Sequence, residues 1–192
     1  MDKHLKQIIH DQIQDTIALV QKVKETLVDN ILQVTDTILT SLKNGGKILI
    51  CGNGGSAADA QHFAAELVGR FKKEREPIPA VSLTVDTSIL TAWSNDYSFD
   101  TVFSRQVESL GNKGDILFGI STSGNSKNVM EAIKTANQKN LVTIGLLGKN
   151  GGGIKALCQH HLIVPGQDTP RIQEAHGLII HILCHLIEES LF

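Results

Sequence analysis

The chain carries almost nothing that would staple, anchor or steer it from outside. Its three cysteines, Cys51, Cys158 and Cys184, are odd in number and form no C-x-x-C pair. That excludes a disulfide framework and fits buried thiols in a reducing compartment. No apolar run approaches the roughly 18 residues of a membrane span, and the amino terminus is polar and charged, without a signal-peptide core. A cytoplasmic protein is expected. Positive charge is not concentrated anywhere: 18 basic residues stand against 20 acidic ones, so neither nucleic acid nor a membrane surface is an expected partner. The densest cluster, Lys72-Lys73-Glu74-Arg75, reads as a solvated helix end. Internal repeats, low-complexity stretches and linkers are also missing. Residues 1–192 therefore read as a single domain, large enough to bury roughly 70% of its unfolded surface without staples.

What is present centres on Ile48-Leu49-Ile50-Cys51-Gly52-Asn53-Gly54-Gly55-Ser56. The branched apolar run reads as a buried strand, and the glycines let the backbone turn sharply and approach a ligand. Ser56, with Asp59 three residues on, is expected to cap the helix that follows. His62 and Glu66 are four residues apart, which puts imidazole and carboxylate on one face of that helix, next to the turn. The turn has neither the G-x-G-x-x-G pattern of a dinucleotide site nor the Lys-Ser/Thr ending of a P-loop.

The rest of the chain alternates. Two amphipathic helices open it, the first with apolar residues recurring at three and four positions from Leu5 to Leu27. The second is capped by Asp29 or Asn30, carries a stripe from Ile31 to Leu42, and ends at Gly45-Gly46. The first helix has more apolar surface than one small sheet needs, so part of it is expected to pack on another subunit. After the helix from Ser56 to about Phe71 come a strand at Ala80–Thr84, a helix at Thr87–Trp93, a polar loop at Ser94–Ser98 and a helix from Phe103 to Leu110. Strands at Ile116–Ile120, Leu141–Leu147 and His161–Val164 follow. A helix at Lys127–Asn140 and a short one between Gly151-Gly152-Gly153 and Cys158 separate them. Thr169 is expected to cap the last helix, with Pro170 in its first turn. Apolar strands separated by helices imply a parallel sheet covered on both faces, a three-layer α/β/α sandwich.

In such a sheet ligands bind outside the carboxyl ends of the strands. The hydroxyl-rich turn Ser121-Thr122-Ser123-Gly124-Asn125-Ser126 falls there, at a helix amino terminus, and suits a phosphate monoester. In the last helix, Gln173 and His181 are eight residues apart and project to similar sides. His176, His181 and His185 lie among isoleucines and leucines, where a lone histidine reads first as a core residue. His181, Cys184 and His185 cannot all face one ion on a helix.

Taken together, Cys51-Gly52-Asn53-Gly54-Gly55-Ser56, the helix with Asp59, His62, Glu66 and Arg70, the pair Asn95-Asp96, the run from Gly119 to Ser126, and Arg171-Ile172-Gln173-Glu174 with His181 closely resemble the phosphoheptose isomerases of the sugar isomerase (SIS) domain family. The resemblance covers nearly the whole chain. It implies a five-stranded, flavodoxin-like parallel sheet and a homotetramer with sites shared between subunits. It also implies isomerisation of sedoheptulose 7-phosphate to D-glycero-D-manno-heptose 7-phosphate. By the same resemblance, Glu66 and His181 are the acid/base pair, and Asn53, Gly54, Gly55, Glu66, Asn95, Asp96 and Gln173 contact the sugar. Ser121, Thr122, Ser123 and Ser126 hold the phosphate. His62, Glu66, Gln173 and His181 bind zinc in some members, one ion per subunit. A non-catalytic SIS tetramer that binds the replication initiator protein is the alternative, but that relative lacks counterparts of Glu66 and His181. A sugar-phosphate-sensing regulator would be expected to carry a DNA-binding domain as well.

Overall fold

In the computed structural model, which describes residues 2–192, five strands form one wholly parallel sheet. They are β1 (Ile48–Gly52), β2 (Ala80–Ser82), β3 (Ile116–Ser121), β4 (Val142–Gly148) and β5 (His160–Val164), in spatial order β2-β1-β3-β4-β5. Cys51 lies beside Gly119 and Gly52 beside Ile120, so the ends of β1 and β3 are level. Strand order reverses between these two strands, which opens a crevice at their carboxyl ends. Every residue of β1 and β3 is buried. Each Ile, Leu or Phe so placed contributes about 1.5–3 kcal/mol from burial, which is why these strands are apolar throughout rather than alternating.

The two sheet faces sort the side chains. Ile48, Ile50, Phe118, Ile120 and Ile144 point to one side, where α1 (Asp2–Thr26), α2 (Val28–Lys43), α3 (Gly55–Val68) and α7 (Thr169–Leu191) cover them. Leu49, Cys51, Leu117 and Leu147 point to the other side. There they meet Leu90 and Trp93 of α4 (Thr87–Asp96), Val102, Phe103 and Val107 of α5 (Val102–Leu110), and Val129, Ile133 and Ala136 of α6 (Lys127–Gln138). This is the three-layer arrangement that the alternating pattern predicts, in the flavodoxin-like strand order that the resemblance implies.

Several local expectations are corrected. Neither Asp29 nor Asn30 caps α2. The helical hydrogen bonding runs through Leu27, whose N–H reaches Val23 O and whose carbonyl accepts from Ile31, so α1 and α2 are almost continuous. α3 ends at Val68, not near Phe71. Asn95 and Asp96 lie in the last turn of α4, not in a loop. Asp168, not Thr169, occupies the cap position of α7, although Pro170 is in the first turn as expected. Residues 152–157 form consecutive turns instead of a helix. There Gly151 and Gly152 adopt left-handed backbone (φ 85 and 53) and come so close to Gly124 that a Cβ on Gly124 would strike the Gly151 carbonyl. Helix formation loses here to close backbone packing that only glycine permits.

Candidate active site

Two helices begin at the crevice without a side-chain cap. α3 starts after Gly54, whose φ of 56° and ψ of −122° turn the chain off β1. Ser56 is not the expected cap; it is 4% exposed, folded beneath the turn where its backbone presses on Gly52. α6 starts after Ser126, also without a side-chain cap. At α3 the Ser56 and Ala57 N–H groups bond back to the Asn53 and Gly54 carbonyls, and at α6 the Val129 N–H donates to Asn128 Oδ1. The positive ends of the two helix dipoles favour a negative charge in the crevice.

The hydroxyl loop after β3 is gathered rather than splayed. Ser121 Oγ lies 2.9 Å from Ser126 Oγ and 3.5 Å from Ser123 Oγ, and the Asn125 N–H donates to Ser123 Oγ. Gly124, at φ 67, makes the turn, and Ile154 N–H donates to its carbonyl, so the glycine run 151–153 buttresses this loop from behind. Asn128, unnoticed in the sequence, joins the two turns. Its side chain is buried, and it exchanges two hydrogen bonds of 2.8 Å with the Asn53 amide, tying the glycine turn to the first turn of α6. Only its position two residues after Ser126 hinted at this.

α3 and α7 bring His62, Glu66 and His181 together. His62 Nε2 is 3.0 Å from Glu66 Oε1 and 3.4 Å from His181 Nε2, with the rings edge to face. One ligand atom from each of the three lies within 4.8 Å of the others. A single ring nitrogen cannot donate to Glu66 and accept from His181 along one N–H direction, so the convergence suits a shared proton or a shared cation. Two imidazoles and a carboxylate are a donor set that zinc takes in open sites, where a fourth position is left for water or substrate. The Gln173 amide lies against Gly55, where any Cβ would collide with it. Glycine is thus required for α7 to approach the turn. Asn95 and Asp96 are exposed and hydrogen bonded to each other. They sit on α4, which follows β2 on the same sheet edge, but no hydrogen bond among the described residues links them to the cluster.

Burial separates the remaining titratable groups from this chemistry. The Asp59 carboxyl, on α3 one turn before His62, is pushed up to about 6 by burial, with His62 pulling the other way, and one of its oxygens has no partner. Burial holds His176 down at about 4, opposed by its hydrogen bond to the Leu147 carbonyl. It is the core histidine expected in α7. The Cys51, Cys158 and Cys184 thiols are pushed up to about 12, again by burial, which removes them as thiolate nucleophiles.

Known proteins resemble this chain in sequence and fold. Residues 12–148 match the SIS domain family. Over 188 residues the chain is 54% identical to a phosphoheptose isomerase of Trichlorobacter lovleyi, covering 98% of this chain and 96% of that one. It is 62% identical over 165 residues to the phosphoheptose isomerase of Helicobacter hepaticus, covering 86% and 84% respectively. The solved structure of phosphoheptose isomerase GmhA from Neisseria gonorrhoeae superposes with a TM-score of 0.92 at 48% identity, covering 96% of this chain and 99% of that one. With its fold, its crevice and these relatives in agreement over nearly its whole length, the chain belongs to the SIS domain family, among the phosphoheptose isomerases.

Proposed function

We propose that this chain converts sedoheptulose 7-phosphate to D-glycero-D-manno-heptose 7-phosphate, the first step towards ADP- or GDP-heptose. The observation that carries the reading is the convergence of Glu66, His62 and His181 on α3 and α7, two helices that meet where Gln173 lies against Gly55 of the turn that Asn128 ties to the start of α6. Ser121, Thr122, Ser123 and Ser126 hold the phosphate, while the turn Asn53-Gly54-Gly55 and Gln173 lie under the sugar. Asn95 and Asp96 supply further sugar contacts. Glu66 takes the proton from C1 as His181 delivers one to the C2 oxygen, which gives an enediol. Return of a proton to C2, with loss of the O1 proton, completes the aldose. His62, Glu66, Gln173 and His181 would hold one zinc ion per subunit, whose chemistry when bound is Lewis-acid polarisation of the carbonyl. For Glu66 this role competes with proton transfer, because a coordinated carboxylate is a weaker base.

Assembly into a homotetramer with shared sites fits the surface. Ile9, Ile13 and Ile17 of α1 are each more than half exposed, and they line an open groove of about 770 Å³ with Arg171 and Glu174 of α7. No helix among the described residues is long and apolar enough to cross a membrane. A cytoplasmic enzyme acting on a phosphorylated sugar is the consistent reading. A non-catalytic tetramer that binds the replication initiator has no use for a carboxylate and two imidazoles converging at one point. The experiment is turnover of sedoheptulose 7-phosphate by Glu66→Gln and His181→Gln. Each should lose about 100-fold to 10,000-fold in rate with the circular dichroism unchanged. Wild-type turnover in either would remove that residue from the mechanism.

A further inference from the structure

Within the cluster Lys72 to Arg75, Lys72 and Glu74 are exposed as its composition suggests, but the Arg75 side chain is not. The Arg75 side chain is 1% exposed and pairs through Nε with Glu188 of α7, itself 0% exposed, at 2.9 Å. Its remaining donors reach back to α3: Nη2 to the Glu66 carbonyl at 2.8 Å and Nη1 to the Leu67 carbonyl at 2.9 Å. These are among the last carbonyls of α3, which have no partner inside the helix, and a cation is favoured at that end. The Glu188 carboxylate also accepts the backbone N–H groups of Phe71, Lys72 and Lys73. Burial alone would raise the Glu188 carboxyl, but these backbone bonds and Arg75 outweigh it and hold it at about 2, so the pair stays charged at any working pH.

This clamp joins the end of α3, which carries Glu66, to α7, which carries His181. Arg75 grips the backbone of Glu66 itself. Glu188 follows His181 by seven residues, two turns along the same face of α7. The Phe71 N–H it accepts belongs to the residue whose ring packs on the His181 imidazole, with centroids 5.7 Å apart and planes 32° apart. We infer that Arg75 and Glu188 are positioning residues that set the distance and orientation between Glu66 and His181, an inference that rests on the acid/base roles proposed above. A planar guanidinium with several donors spans carboxylate and helix carbonyls together, which an ammonium cannot do. Displacement of a reacting group by about 1 Å costs on the order of 100-fold in rate.

The test separates positioning from simple stability. Arg75→Met should lower kcat about 10-fold to 100-fold with KM within about twofold of wild type, and it should also lower the melting temperature by leaving Glu188 buried without its counter-ion. Arg75→Met combined with Glu188→Gln removes both charges, so the melting temperature should recover towards wild type while kcat stays low. Should Arg75→Met fail to fold, Arg75→Lys keeps the counter-ion and still loses the grip on Glu66. The same fall in kcat is expected from it. A kcat that recovers together with the melting temperature, or wild-type kcat in any of these variants, overturns the inference. Glu66→Gln and His181→Gln run alongside: if they keep full turnover, the acid/base reading itself falls, whereas if they lose it and the Arg75 variants do not, only the positioning role falls.

Discussion

His176→Gln should flatten the acid end of the stability curve. His176 is fully buried in α7, its Nε2 is 3.1 Å from the Leu147 carbonyl, and its Nδ1 has no partner. Burial holds it at about 4 in the folded chain, against an ordinary 6.5. The unfolded chain therefore takes up a proton first. Stability contributed by the neutral ring is complete above pH 6.5, erodes as the pH falls, and is lost once the pH passes below about 4. At about 1.4 kcal/mol per pH unit, this amounts to roughly 3 kcal/mol. In a chain of this size it corresponds to roughly 6–12 °C in melting temperature. A glutamine amide can donate to the same carbonyl but does not titrate. Asp59, pushed up to about 6, gains stability from protonation over part of the same window, so the raw curve mixes two opposed effects. The difference between wild type and variant isolates His176. Melting both proteins at pH 7.5 and pH 4, at one protein concentration, should show wild type losing roughly 6–12 °C more than the variant. Parallel losses would refute the claim that a buried neutral histidine underlies the acid sensitivity.

Two further outcomes follow from the surface and the crevice. Replacing Ser121, Ser123 and Ser126 together by alanine should weaken binding of sedoheptulose 7-phosphate far more than binding of the unphosphorylated sugar, at on the order of 1.5–3 kcal/mol per charge-assisted hydrogen bond. Equal losses in calorimetry would put the phosphate elsewhere. Aspartate at both Ile13 and Ile17 should lower the mass seen by light scattering, and turnover should fall with it on dilution. A monomer with full activity would remove the shared-site reading.

The sheet and most of its helices were legible because their signal is periodic: β1 and β3 are unbroken apolar runs between glycine turns, and α1 repeats at three and four. His62 with Glu66 could be read from a spacing of four. What sequence did not show depends on contacts between distant segments. Asn128 matters because β1 and β3 are neighbours, which puts it beside Asn53, 75 residues away. Arg75 looked solvated because its partner Glu188 is 113 residues downstream. The Ser56 cap failed for a related reason: α3 starts at the crevice, where a side-chain cap would fill the space a ligand needs. The run Gly151-Gly152-Gly153 reads as a helix start, but Gly151 and Gly152 pack their backbone against Gly124.

Incubation of the purified protein with sedoheptulose 7-phosphate, with added zinc and separately with chelator, followed by nuclear magnetic resonance of the products, tests the central claim most directly. The account predicts accumulation of D-glycero-D-manno-heptose 7-phosphate, with the aldose C1 signal rising as the ketose falls, and no such signal from Glu66→Gln. Unchanged sedoheptulose 7-phosphate under every metal condition, from protein shown to be folded and assembled, would contradict it.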